Sequence, residues 1–110
     1  MAGTWKTFQA PDTPSGVFSA DTMILLTDGS VLIHNGNDTN AVTPCKEWLR
    51  LTPDAQGNYA TGAWSGVIAM TNAREFFSSG VLRDGRVYVI GGEYSDDLAD
   101  DTFNNPPTGQ

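Results

Sequence analysis

The sequence predicts an all-β chain built from repeated antiparallel hairpins, and three observations carry that expectation. No window holds apolar residues at i, i+3, i+4 and i+7 without a Gly, Pro or Thr interrupting it, so helical periodicity is missing. Short runs of Val, Ile, Leu, Tyr, Thr and Trp recur between turn residues, in a chain with 12 Gly and 6 Pro among 110 residues. One hairpin-like construction then occurs twice, 56 positions apart.

Along the chain, Trp5-Lys6-Thr7-Phe8 reads as an extra outer strand, because Trp5 precedes the first hairpin much as Trp64 precedes the second. The first hairpin joins residues 22–27 to residues 30–34 through Asp28-Gly29. Asp-Gly between strand-like runs suits a type I′ turn, whose positive φ these residues accept. Residues 47–52 alternate as a third strand and stop at 53–58, a turn by composition. Residues 62–67 supply a fourth. The second hairpin, 78–83 and 86–90, turns at Asp84-Gly85. The displacement by 56 also lays Leu26 on Leu82, Val31 on Val87 and Gly36 on Gly92. Residues 17–70 thus form one complete four-stranded antiparallel unit, and 71–94 form the first hairpin of the next. Residues 95–110 read as an acidic, irregular tail, in which Asp96, Asp97, Asp100 and Asp101 read as a solvated stretch, with a site for a hard cation such as calcium as the alternative. Such a long period points to a β-propeller or another repeat array, whose units need neighbours to cover their apolar faces.

Composition narrows the function classes. Thirteen acidic against six basic residues give a net charge of −7, and Lys6, Lys46, Arg50, Arg74, Arg83 and Arg86 are scattered. That argues against nucleic acid and against an anionic membrane surface as partners. Apolar runs are strand-sized, far short of the roughly 18 residues that span a bilayer. Residues 1–6 lack the apolar centre of a secretory signal. A single cysteine, Cys45, allows no internal disulfide, and with one histidine, His34, it leaves a structural zinc site without ligands.

The stretch Val81-Leu82-Arg83-Asp84-Gly85-Arg86-Val87-Tyr88-Val89-Ile90-Gly91-Gly92 closely resembles the kelch repeat: strand, turn, strand, double glycine. Trp48-Leu49-Arg50-Leu51-Thr52-Pro53-Asp54 and Gly62-Ala63-Trp64 resemble that repeat's third and fourth strands, particularly in bacterial kelch proteins related to galactose oxidase. The likeness covers about residues 5–94, and in the first copy the double glycine is reduced to Asn35-Gly36. It implies antiparallel four-stranded kelch-type propeller blades. Since about six or seven blades close such a ring, it also implies an incomplete propeller in one chain. Further blades must then come from a longer protein, or from copies of the chain itself in a homo-oligomer. In that assembly Trp5-Lys6-Thr7-Phe8 of one copy pairs head to tail with the unfinished blade of the next.

Enzymes of the galactose-oxidase kind use copper with a tyrosine crosslinked to a cysteine. The resemblance puts Phe76 at the tyrosine's position and the cysteine's place near Ser19 or Ala20. It therefore implies a non-catalytic structural or protein-interaction module without a cofactor. The alternative is an N-terminal fragment of a copper oxidase or carbohydrate-binding propeller whose ligands lie further along.

If the Asp-Gly turns share one end of the units, the opposite end collects His34, Asn35, Asn72, Arg74, Glu93 and Tyr94 as binding candidates. Arg74 and Glu93 suit a structural ion pair better. His34, followed by Asn35, Asn37 and Asp38, reads as a hydrogen-bonded loop residue in preference to a metal ligand. Cys45 reads as a free thiol on a loop. Trp5, Trp48 and Trp64, with Gly91 and Gly92, read as inter-blade packing.

Overall fold

A computed structural model describes residues 3–36 and 45–92 of the chain. These residues form an all-β structure of seven strands, without a helix and with every strand pairing antiparallel. The strands are β1 (Ala20–Leu25), β2 (Val31–Asn35), β3 (Glu47–Thr52), β4 (Ala63–Trp64), β5 (Ile68–Ala69), β6 (Ser78–Val81) and β7 (Val87–Ile90). The first sheet runs β1-β2-β3, with β4 and β5 both on the far edge of β3, and the second sheet is the hairpin β6-β7. Residues 5–8, expected as an outer strand, form none.

Both hairpins are closed by the same turn, and it differs from the expected type. The amide of Gly29 donates to the Leu26 carbonyl and that of Leu26 to Ser30; Gly85, Leu82 and Arg86 repeat the pattern. Only Gly29 and Gly85 take positive φ there, at 88° and 90°. This is a type I turn followed by a left-handed glycine bulge, whereas type I′ needs positive φ at two residues. Asp sits one place later in the turn than expected, at its second central position, and spends its side chain on capping. Asp28 Oδ1 accepts from the amide and hydroxyl of Ser30, and Asp84 Oδ1 accepts from the amide of Arg86.

The outer edge of the first sheet is one strand with an irregularity. Leu51 pairs with Trp64, but Trp48 pairs with Ile68, so three residues, Ser65 to Val67, face only two of β3. Across the bulge Ser65 Oγ accepts the Arg50 amide at 2.8 Å, replacing a ladder carbonyl. The extra residue reverses side-chain parity. Trp64 turns to one face of the sheet, with Leu49 and Leu51, while Ile68 turns to the other, with Trp48.

Alternation gives the first sheet two apolar faces. One holds Ile33, Leu49 and Leu51 with Phe18 and, at its margin, Ala10, Val31, Tyr59 and Trp64. The other holds Ile24, Leu32 and Trp48 and is covered by Val81, Val87 and Val89 of the second hairpin, with Met70 and Phe77. The two hairpins do not meet through equivalent faces. Displaced by 56, Val81, Val87 and Val89 correspond to Leu25, Val31 and Ile33, which lie on the first sheet's opposite face. The second unit is therefore stacked front to back on the first, in the same sense, and not turned to face it.

A close approach repeats as well. A Cβ at Gly36 would lie 2.6 Å from Asp21 Cβ; at Gly92 it would lie 2.8 Å from the Glu75 carbonyl and 3.4 Å from Phe77 Cβ. Asp21 and Phe77 are themselves 56 apart. Glycine is required at both places because the entering segment crosses directly over it.

Candidate functional site

The end of the units away from the turns was expected to collect His34, Asn35, Asn72, Arg74, Glu93 and Tyr94. Glu93 and Tyr94 lie outside the described residues, as do Asn37, Asp38 and the acidic stretch 96–101. His34 and Asn35 are not loop residues: they end β2, and both are fully buried. The correction has a physical cause, since the second hairpin lays Phe77 over the strand end that the sequence leaves looking like a turn. The His34 ring packs between Trp48 and Phe77, with centroids 5.0 and 4.9 Å away. Its Nε2 lies 2.8 Å from the Cys45 carbonyl, which can only accept, so Nε2 carries the proton. Its Nδ1 lacks a hydrogen bond and lies 3.6 Å from Asp21 Oδ2. Burial pulls the imidazole below its ordinary pKa, against the opposing pull of the Cys45 carbonyl and Asp21.

Asn35 belongs to a buried polar cluster that sequence reading missed. Its Nδ2 donates to Glu47 Oε1 at 3.1 Å and to Thr13 Oγ1 at 3.3 Å, and Thr13 Oγ1 donates to Glu47 at 2.6 Å. Burial alone would raise the Glu47 carboxyl. Hydrogen bonds from Thr13, Ser15, Asn35 and Cys45 outweigh it and hold the group below the ordinary carboxylate range. Cys45, expected on a loop, is buried beside this cluster, and burial pushes its thiol above the ordinary value. A thiol so protonated is a poor nucleophile. The cluster ties the segment around Thr13 to β2 and β3; its chemistry is structural.

Arg74 is 1% exposed, and its Nη1 donates to the Gly91 carbonyl at 3.1 Å. That bond links the segment entering β6 to the glycines leaving β7. Asn72 is half-buried on the same entering segment. Phe76 stands two residues before β6 in the left-handed region at φ 53°, exposed, with a side chain that carries no oxygen. Among the described residues no group of three His, Cys, Asp or Glu side chains could hold a metal ion.

The remaining surfaces are apolar. An open groove of about 500 Å³ separates the first sheet from β7, lined by Leu32, Trp48, Ile68, Met70, Val87 and Val89. Among the described strands β7 pairs only with β6, on the side where β2 of the first hairpin has β3. Trp48 fills the contact between the first sheet and the second hairpin. Trp64 packs on the opposite face, with Phe8 at 6.3 Å between ring centroids. Trp5 is 100% exposed. Exposed apolar side chains also mark the two ends of the stack: Met23 and Leu25 on β1, Leu82 and Ile90 on the second hairpin.

No family model, curated protein or solved structure matches the chain.

Proposed function

We propose that the chain is a non-catalytic kelch-type structural and protein-interaction module: an incomplete propeller completed by copies of itself or by further blades. The observation that carries this reading is the front-to-back stacking of the second hairpin on the first sheet. A sandwich made by duplication brings equivalent faces together, whereas a repeat array stacks unlike faces in one sense and leaves an unsatisfied face at each end. The module's task is then to present those ends.

The open groove beside β7, which among the described strands pairs only with β6, supports the same reading. Positions 103–108, which correspond to β3, read Phe-Asn-Asn-Pro-Pro-Thr, and the two prolines lack the amides a ladder needs. The exposed Trp5-Lys6-Thr7-Phe8 of a second copy is a better match in composition for an added strand. Phe76 at the copper tyrosine's position places the oxidase reading behind this one.

Solution mass tests the proposal. Light scattering after size exclusion should give a discrete multiple of 11.8 kDa. A folded monomer at every accessible concentration would remove self-assembly and leave only the completion by further blades.

A further inference from the structure

We propose that His34 is a proton-operated latch: protonation of its ring releases Phe77, and with it the hairpin β6-β7, from a first sheet that stays folded. The latch does not depend on the two units being propeller blades. His34 ends β2 and is 0% exposed, and its ring lies between Trp48 of β3 and Phe77, just before β6. Trp48 and Phe77 also touch, with centroids 5.6 Å apart. The three rings thus join the first sheet to the start of the second hairpin. Otherwise that hairpin rests on the sheet through apolar side chains, Val81, Val87 and Val89 among them. Among the described residues no hydrogen bond links β6 or β7 to the first sheet. The contact is packing alone, so a change at its ring cluster can undo it without breaking a ladder.

The enclosed ring has no place for a second proton. Its Nε2–H is spent on the Cys45 carbonyl, and its Nδ1 holds a lone pair that no donor reaches. A proton taken there from water creates a second N–H and a full positive charge out of reach of solvent. Among the described residues the ionisable side chain that acts on the ring is Asp21 of β1, whose Oδ2 is 3.6 Å from Nδ1, too far for a hydrogen bond. β3 presents Trp48, while its Glu47 turns to the opposite face, toward Asn35 and Thr13. Cys45 presents its carbonyl and keeps its thiol beside Glu47. The segment entering β6 presents Phe77, while its Arg74 bonds the Gly91 carbonyl. Burial outweighs the Cys45 carbonyl and Asp21, so an uncovered ring binds the proton more tightly than the enclosed one, and the proton favours uncovering. Phe77 is the side that yields. Trp48 is paired on both edges of its strand, with His34 and with Ile68. Phe77 lies outside the strands and follows Phe76 at φ 53°, a strained conformation for an aromatic residue that opening relieves.

The chain's one histidine gives a single ring signal to titrate by NMR, and amide hydrogen exchange, corrected for intrinsic rates, reads the two sheets separately. Protection of β6 and β7 is expected to fall at least about tenfold between pH 7 and 5, in step with the ring's titration, while β2 and β3 keep theirs. His34→Phe keeps a ring between Trp48 and Phe77 and should hold the hairpin down across that range. Asp21→Asn, at a position with a half-exposed side chain, removes the carboxylate that favours the proton. It should move the ring's midpoint and the release to lower pH together. Three results overturn the proposal: protection lost equally from both sheets, release that persists in His34→Phe, or a ring midpoint that moves in Asp21→Asn without the release following it. Should His34→Phe fail to fold, the comparison of Asp21→Asn with the wild type decides.

Discussion

The first hairpin and the second share their turn, their strand register about it and the glycine that follows, yet they stand in different surroundings. β2 is flanked by β1 and β3, and Arg50 of β3 reaches back to the turn, where its Nε donates to Ser30 Oγ at 2.8 Å and its Nη2 bonds Asp28. In the second hairpin the side chain of Arg86 folds back on Asp84 within the same turn, at 2.8 Å. His34 is fully buried, while its counterpart at 56 residues' distance, Ile90, is half exposed. The hairpin is thus a constant part, and its neighbours decide what each position becomes. Among the described residues, what separates the two copies is the third strand beside β2 and the hairpin packed over it.

Breaking the contact between the units should have the largest effect. Trp48→Ala removes the largest side chain between the first sheet and the second hairpin and is expected to cost about 3–5 kcal/mol, enough to abolish a cooperative melt followed by tryptophan fluorescence and circular dichroism. An equal loss from Leu25→Ala would contradict the contrast between a buried Trp48 and an exposed Leu25. Next comes the cluster that anchors the N-terminal segment to the first sheet and has no equivalent in the second. Glu47→Ala leaves Asn35 and Thr13 without their acceptor, at roughly 1–3 kcal/mol. It should also make the peptide bonds around Thr13 newly sensitive to limited proteolysis.

A pH titration sharpens the contrast between His34 and Ile90. Because burial depresses the folded-state pKa of His34, the unfolded chain takes up its proton first. The contribution is present above pH about 6.5 and is lost as the pH falls below that value toward the folded pKa. The melting temperature should accordingly drop between pH 7 and 5, ahead of the region where Glu47 protonates. His34→Phe should flatten that limb; a limb unchanged by the substitution would assign it to another group. The smallest expected difference lies between the turns. Hydrogen bonds from Ser30 and the nearby Arg50 hold Asp28 below its ordinary pKa. Asp28→Ala should therefore lower the melting temperature more than Asp84→Ala does, and the gap should narrow in the Arg50→Ala background.

The residues show why some of this was legible and some was not. The alternation of Glu47 to Thr52 sets β3 to the residue, because both faces of that strand are occupied and the pattern has no other solution. The duplicated hairpins follow from turn chemistry and apolar spacing alone. The turn type does not, since Asp-Gly fits two turns that differ only in which place the pair occupies, and flanking hydrogen bonds choose between them. His34 looked like a loop residue because Asn35-Gly36-Asn37-Asp38 has the composition of a turn; its burial depends on Phe77, more than forty positions on. The Glu47 cluster draws on Thr13 across 34 positions, a pairing no local pattern announces. Residues 5–8 have strand composition but pair with none of the open edges, and composition does not decide pairing.

The displaced ladder at Ser65 to Val67 bears on a hazard common to β-rich chains. A flat, regular border invites an endless ribbon of copies joined backbone to backbone. Here the outermost strand is broken into two pieces of two residues, and the opposite border, β1, is irregular as well, between Ala20 and Met23. Lateral growth of the first sheet is thereby discouraged on both sides.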